Sequence, residues 1–292
     1  MNLLGNLQSG SSLRGIAAML LAGIFLVTND ALTKHLVPHY PVGQLLFVQA
    51  TIISLLASVW LRTSGQAVFA FSNLHGHLMR GLLYVVGSFC FVYALKYLPL
   101  GEVIAIAFAG PLFLTLFGKI FLSEQVGPHR IIAVCAGFVG VIIMMRPGST
   151  MHWAVLLPLV VAIADAFRDI VTRKTTVGEL SQRIVLSTAI VLALAGASTA
   201  IAGDWHSVEA YHLAIFSISA CAFVAAHYFM VEAYRHAETV IVAPFRYVQL
   251  IWGILAGWWF FGEVLDAEIF IGSAVIIAAG LYIGWREWVN SI

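Results

Sequence analysis

Charged residues are scarce in this chain of 292 residues. They make up 10% of the sequence, against about 25% in an ordinary soluble domain, and the mean hydropathy is +0.95. This composition excludes a soluble globular protein. A net charge of +1 also lacks the basic excess with which proteins bind nucleic acid. We therefore expect a protein that is embedded in the lipid bilayer and does not bind nucleic acid.

Motifs for catalysis and metal binding are also lacking. There is no Walker A loop, GxSxG elbow or HExxH pattern, which argues against ATP use and against an intramembrane enzyme. Cys90, Cys135 and Cys221 have no CxxC or Cys/His spacing, so we expect packing residues. Most histidines fall at the ends of hydrophobic runs and are interpreted as interfacial. The sequence thus predicts no cofactor, no metal and no enzyme activity.

Hydrophobic runs long enough to cross a bilayer occupy most of the chain. There are ten such runs, at about 15–36, 42–61, 79–98, 101–122, 131–146, 153–173, 183–202, 210–234, 239–261 and 267–286. The segments between them are too short to form a domain outside the membrane. We predict an all-α membrane protein with ten transmembrane helices, the first of them retained and not cleaved as a signal peptide.

The positions of lysine and arginine in the short loops predict the orientation. With the amino terminus inside, ten of these residues lie in or beside cytoplasmic loops and three lie outside. Ten spans return the chain to its starting side. Both termini are therefore predicted to be cytoplasmic, in a bacterial inner membrane.

An internal repeat relates the two halves of the chain at an offset of 139 residues. Four like-charged pairs share this offset: Asp30 with Asp169, Lys34 with Arg173, Lys96 with Arg235, and Glu124 with Glu263. Each half, residues 1–150 and 151–292, holds five predicted spans, so the second half must enter the membrane from the opposite side. Inverted repeats of this kind are typical of secondary transporters, whose halves rock about a site near the midplane.

Three short motifs and this layout resemble the drug/metabolite transporter superfamily with two EamA-type repeats. The motifs are "FLSE" at 121–124, "FFGE" at 260–263 and "RPG" at 146–148. The resemblance covers nearly the whole chain and implies a basket-like bundle whose first, third, fourth, sixth, eighth and ninth spans surround a central cavity. Within the superfamily, the chain is similar in size and layout to YddG-type bacterial amino-acid exporters, which implies export of small amphipathic solutes.

Several ionisable residues lie inside predicted spans, where they are costly and tend to face the bundle interior. Those near span ends are predicted to act either as local ion pairs or as gates: Asp30, Lys34, Arg168, Asp169 and Arg173. As ion pairs, Asp30 would bond to Lys34, Arg168 to Asp165 and Asp169, and Asp169 also to Arg173, since each pair is within about one helical turn.

Asp165 and Arg246 lie deeper in their spans. They could receive the ammonium and the carboxylate of a zwitterionic substrate, or form a salt bridge with each other.

Two prolines interrupt predicted spans. Pro111 and Pro244 each remove a backbone donor, so we expect hinges or simple kinks there. Polar and aromatic residues on neighbouring stretches complete the predicted substrate cavity: Tyr84, Ser88, His227, Tyr247, Gln249 and Trp252.

The sequence thus predicts a secondary transporter that exports small amphipathic solutes, with neutral and aromatic amino acids as the first candidates. Other metabolites or cationic drugs are the alternative substrates. An intramembrane enzyme or a scaffold that transports nothing is the alternative from a different class. Monomer and dimer both stay open, since small-residue faces such as "GLYIG" at 280–284 allow close helix packing within or between chains.

Overall fold

The computed structural model describes residues 3–121, 127–148, 151–175 and 179–291. Within these ranges it gives no side-chain description for 3–11, 173–175, 202, 239–240, 243 and 287–291. The described chain is helical, and no strand occurs in it.

Twelve α-helices follow one another along the described chain. They are α1 (Leu3–Leu36), α2 (Val42–Thr63), α3 (Leu74–Tyr97), α4 (Leu100–Ala107), α5 (Gly110–Phe121), α6 (Pro128–Met145), α7 (Leu156–Thr175), α8 (Ser181–Ser198), α9 (Ala210–His236), α10 (Thr239–Val242), α11 (Val248–Phe261) and α12 (Ala267–Ser291). Short 3-10 turns cover Trp153–Val155, Thr199–Ala202 and Ala243–Tyr247.

Eight helical stretches of the described chain are long and apolar enough to cross a membrane. The chain is therefore a multi-pass membrane protein. Two of the ten expected spans do not meet these criteria, for different physical reasons. The expected sixth span is α7, whose second half carries Asp165, Arg168 and Asp169. The expected ninth span is divided into α10, a 3-10 turn and α11, which is only 14 residues long.

Large apolar side chains point away from the bundle on many helices. Leu55, Ile132 and Trp259 are 62%, 66% and 74% exposed. A soluble protein rarely carries so many exposed apolar residues, whereas lipid tails solvate them well. Cys135 and Cys221 are also exposed, so the expectation that they pack inside the protein is wrong for these two.

Both predicted breaks occur next to their prolines. The fourth span divides between α4 and α5, and Pro111 is the second residue of α5, where a missing backbone donor is tolerated. Pro244 lies in the 3-10 turn that joins α10 to α11. The sequence thus located two interruptions of helical hydrogen bonding, while motion at either proline stays a prediction.

The main helix pairs come in matched sets. Helix α1 packs along α9, and α7 packs along α3; α2 packs along α8, and α6 along α12. At one corner Arg146 ends α6 in the left-handed region, with φ of 48°, and its guanidinium lies 2.5 Å from the Asp266 carboxylate just before α12. The "RPG" motif therefore joins the fifth and tenth expected spans.

Candidate functional site

A charged cluster lies in the second half of α7, facing α3. Arg168 pairs with Asp165 at 2.6 Å and with Asp169 at 3.5 Å, and its guanidinium lies 5.7 Å from the centre of the Tyr84 ring. The expected local ion-pair cluster is therefore present. The side chains of Asp165 and Asp169 are still 36% and 44% exposed, so their carboxylates have room for further partners. Ser88 lies beside the Tyr84 hydroxyl.

A second arginine joins this region from the start of α3. Arg80 Nε donates to Thr172 Oγ1 at 3.0 Å, and its Nη1 donates to Thr188 Oγ1 on α8. Thr172 in turn donates to the Arg168 backbone carbonyl at 2.7 Å. We call Arg80, Arg168, Thr172 and Thr188 the arginine cluster. Arg80 has no carboxylate partner within salt-bridge distance among the described residues, so its positive charge is balanced only at longer range.

An uncharged network joins α1, α2 and α9. Gln49 Nε2 contacts Asn29 Oδ1 at 2.8 Å, Thr33 Oγ1 at 3.2 Å and Ser219 Oγ at 2.7 Å. We call these four residues the neutral cluster. Each of them is at most 7% exposed, so the network is closed to solvent.

The two clusters occupy matching positions in the two halves. Adding 139 to the numbers of Asn29, Thr33 and Gln49 gives Arg168, Thr172 and Thr188, and adding 139 to Arg80 gives Ser219. A further pair repeats the pattern: Gln44 Nε2 donates to the His206 carbonyl and Arg183 Nε donates to the Ala67 carbonyl. The offset found in the sequence therefore also relates hydrogen bonds made across the bundle.

Lys34 and Glu263 form an ion pair beyond the neutral cluster. Their side chains are 12% and 14% exposed, and they pair directly from α1 to the end of α11. Glu263 also accepts from the Leu100 backbone N–H at 2.7 Å, and Lys34 donates to the Leu98 carbonyl at 2.7 Å. The expectation that Lys34 pairs with Asp30 is wrong. Asp30 instead accepts from Asn29 at 3.1 Å.

Polar contacts also join two loops on the opposite side of the bundle. Ser72 donates to Glu179 at 2.5 Å, and Arg183 lies 3.5 Å from the same carboxylate. Burial by itself raises the pKa of Glu179, but the hydrogen bonds from Ser72 and the nearby His77 and Arg183 outweigh it, leaving the pKa below its usual value. Glu179 therefore stays ionised at neutral pH. Arg173, the expected partner of Asp169, lies among the residues whose side chains are not described.

The expected ninth-span residues do not form one group. Arg246 is exposed, and among the described residues it has no ion pair; it acts on Asp165 only at longer range, so their mutual salt bridge is not formed. The Tyr247 ring packs on Phe108 at 5.6 Å, and its hydroxyl points toward Gly280 of α12. Tyr247 is thus turned away from α7.

Gln249 and Trp252 both face Gly23 of α1, and Trp252 Nε1 is buried with no hydrogen-bond partner among the residues that the structure describes. His227 on α9 donates from Nδ1 to the Phe223 carbonyl of its own helix at 2.9 Å, and it lies within electrostatic range of Arg80 and Arg168. Of the predicted cavity residues, the structure brings Tyr84, Ser88, Asp165 and His227 to the arginine cluster.

One group of residues that could hold a metal was missed from the sequence. His35, His39 and His212 each place a ring nitrogen within 4.8 Å of the others. The spacing of His35 and His39, one helical turn apart, was the available signal, but the third histidine is 173 positions further on (212 − 39) and only the fold brings it close.

Comparison with known proteins gives a consistent set of similarities. The EamA-like transporter family matches residues 13–146. The chain is 30% identical over 276 residues to the riboflavin transporter of Rhizobium johnstonii, covering 94% of this chain and 91% of that protein. It is 25% identical to the S-adenosylmethionine uptake transporter of Rickettsia prowazekii, covering 94% of each.

Two more distant similarities extend the set. The pseudopaline exporter of Pseudomonas aeruginosa is 24% identical, with 91% of this chain and 94% of that protein covered. A solved crystal structure superimposes with a TM-score of 0.62 at 16% identity, covering 94% of this chain and 96% of the other, which is a likeness of fold.

Proposed function

Because the chain belongs to the EamA-like transporter family of the drug/metabolite transporter superfamily, we propose that it moves a small organic solute by alternating access between two inverted halves. It is a transporter and not an enzyme. The proposed halves are residues 1–150 and 151–292, each with five membrane spans, in a bacterial inner membrane with both termini cytoplasmic.

Matched contacts support the two-half arrangement. Exchange of the halves turns the α1–α9 pair into the α7–α3 pair, and it turns the neutral cluster into the arginine cluster. Because the contacts repeat, the two halves can exchange their packing arrangements, so that the bundle closes at one side of the membrane or at the other. A solute site between the halves can then be closed at one side by the Lys34–Glu263 pair while the other side is open.

The observation that carries the substrate proposal is the exposed charge beside Tyr84. Asp165 and Asp169 keep accessible carboxylates inside the bundle, Arg168 lies over the Tyr84 ring, and the positive charge of Arg80 is balanced only at longer range. A planar heteroaromatic ring can stack on a tyrosine ring or on a guanidinium, and its N–H, hydroxyl and carbonyl groups can bond to carboxylates and arginines. We propose that the substrate is a heteroaromatic metabolite with polar substituents, and riboflavin, named for the 30% identical relative, is the first candidate.

Amino acids are the second candidate. The ammonium of a zwitterion would bind the exposed face of Asp165, while its carboxylate would bind Arg80. Arg80 replaces Arg246 in this role, because Arg246 makes no ion pair with Asp165. Export is the direction that the sequence predicts together with amino acids as the solute. Cationic drugs are the third class of candidate solute.

Counterflow in proteoliposomes tests the proposal. Purified protein would be reconstituted with unlabelled solute inside, and uptake of radiolabelled riboflavin, tryptophan and a cationic dye would be followed. We expect riboflavin uptake well above empty vesicles, reduced at least tenfold in Asp165→Asn. Asp204→Asn, which alters an exposed loop carboxylate, is the matched control and should transport normally.

Each outcome has a distinct meaning. Uptake of tryptophan and not riboflavin would select the amino-acid candidate, and uptake of the dye alone would select cationic drugs. No uptake of any of the three, from protein that remains folded, would contradict the proposed substrate classes. Uptake that Asp165→Asn leaves unchanged would move the site away from the arginine cluster.

A further inference from the structure

Three histidines, from α1, the turn that follows it and α9, meet at the side of the bundle where α1 ends. His35 lies in the last turn of α1, His39 in the turn that follows, and His212 in the first turn of α9. The ring centres of His35 and His39 are 6.0 Å apart, and those of His39 and His212 are 4.5 Å apart. We infer that these imidazoles form a binding site for a divalent transition-metal ion such as Zn²⁺.

The spacing of the nitrogens is close to what a metal requires. One nitrogen of each ring lies within 4.8 Å of the other two. Tetrahedral zinc with Zn–N bonds of about 2.0–2.1 Å places its nitrogens about 3.3 Å apart. His35 and His39 are exposed, and His39 lies outside the helix, so their rings can close this gap by rotation. His212 is 7% exposed and supplies the fixed ligand.

The surroundings of His212 favour the tautomer that a metal needs. Tyr40 Oη lies 2.9 Å from His212 Nδ1, and it already accepts a hydrogen bond from the Glu209 backbone N–H at 3.2 Å. The Glu209 carboxylate lies 3.8 Å from Nδ1 and favours a proton there. With Nδ1–H directed at Tyr40, the lone pair of Nε2 is free for the ion. Metal-binding histidines are commonly oriented by such a second hydrogen bond.

The donor set selects the kind of ion. Three neutral imidazoles suit Zn²⁺, Co²⁺, Ni²⁺ or Cu²⁺, whereas Ca²⁺ and Mg²⁺ require oxygen ligands. Water can complete the coordination, because two of the three histidines face solvent. The ion would join α1 of the first half to α9 of the second. This site is separate from the arginine cluster, and the inference does not depend on the identity of the transported solute.

Metal titration of the full chain tests the inference. Protein purified in detergent through a tag without histidine, and stripped with EDTA, would be titrated with Co²⁺ while its visible d–d absorption is recorded, followed by Zn²⁺ in competition. We expect one bound ion with a tetrahedral spectrum that Zn²⁺ displaces. His39→Ala should weaken binding at least tenfold, because it removes one of the three ligands, and it does so in an exposed turn outside the helices. Tyr40→Phe should weaken binding about tenfold while every ligand stays in place.

His75→Ala is the matched control, since His75 is an exposed histidine at the start of α3, on the opposite side of the bundle. Its affinity should equal that of the unmodified protein. Equal affinity in His39→Ala and the unmodified protein, or an octahedral spectrum without displacement by Zn²⁺, would overturn the inference. Loss of binding in His75→Ala with retention in His39→Ala would place the ion elsewhere and overturn it equally.

Discussion

The neutral cluster and the arginine cluster occupy matching positions in the two halves but differ in charge and in access. In the first, Gln49 bonds to three uncharged partners that are all buried. In the second, Arg80 bonds to Thr172 and Thr188 beside Asp165 and Asp169, whose carboxylates stay partly exposed. The same helix positions therefore support a closed network in one half and a charged, partly exposed one in the other.

From this difference we expect the neutral cluster to serve stability and the arginine cluster to serve transport. A buried network of uncharged groups stabilises helix packing without a solvation cost once every member is bonded. Charges inside the membrane are expensive unless water or a solute reaches them. We therefore expect substitutions in the neutral cluster, or in the neighbouring Lys34–Glu263 ion pair, to reduce stability more than transport. Substitutions in the arginine cluster should reduce transport more than stability.

The largest effect should come from breaking the Lys34–Glu263 ion pair beside the neutral cluster. Lys34→Met leaves the poorly exposed Glu263 carboxylate without its cation, and loss of one partner of such a pair costs about 3 kcal/mol. Thermal unfolding in detergent measures this. The double variant Lys34→Met with Glu263→Gln should recover part of the loss, because both charges are then absent. Equal unfolding temperatures for the single variant and the unmodified protein would contradict the role of this pair.

Removing the centre of the neutral cluster should have the next largest effect. Gln49→Ala removes an amide whose two N–H groups serve three acceptors on neighbouring helices. At about 0.6 to about 1.7 kcal/mol for each N–H in a membrane, the loss amounts to about 2 kcal/mol. We expect a lower unfolding temperature and an unchanged KM in the protein that remains folded. Gln66→Ala, at an exposed position after α2, is the control. A changed KM with unchanged stability would reverse the contrast between the clusters.

The arginine cluster can be given the composition of the neutral one. Arg168→Asn places at position 168 the residue found at the matching position 29, and it removes the cation that pairs with Asp165. We expect counterflow to fall at least tenfold, about 1.4 kcal/mol, while stability changes less than in Gln49→Ala because water can reach the carboxylate. Arg62→Asn, at an exposed position, should transport normally. Full transport by Arg168→Asn would contradict the assignment of charge to solute binding.

The smallest effect concerns the contact between the loop before α3 and the loop before α8. Since the folded protein lowers the pKa of Glu179 below its ordinary value of 4.5, ionised Glu179 stabilises the fold above that value. The contribution disappears as pH falls through the lowered folded pKa. The difference in unfolding free energy between the protein and Glu179→Gln should therefore be about 1 kcal/mol at pH 7 and approach zero in acid. A difference that is independent of pH would contradict the ionised Ser72–Glu179–Arg183 contact.

Local features of this molecule were predictable from its sequence, and side-chain partners were not. Composition predicted the helices, Pro111 and Pro244 marked the interruptions, and the spacing of Asp165, Arg168 and Asp169 predicted their ion pairs. These features depend on residues within one or two turns of each other. The partner of Lys34 is Glu263, which is 229 positions away (263 − 34), and the orientation of Tyr247 toward α12 depends on how α11 is rotated about its axis. Hydrophobic periodicity carries no such information in helices that are apolar on all sides.

The most direct test of alternating access is a reversible cross-link between positions 34 and 263, where the Lys34–Glu263 pair is proposed to close one side of the solute site. In a variant with Cys90, Cys135 and Cys221 replaced by serine, Lys34→Cys and Glu263→Cys would be joined with a short bifunctional methanethiosulfonate, and riboflavin counterflow would be compared before cross-linking, after it, and after reduction. The single-cysteine variants treated in the same way are the controls. Our account predicts that cross-linking stops the counterflow shown by the reduced double variant and that reduction restores it. Counterflow that continues at the same rate while the two residues are joined would contradict it.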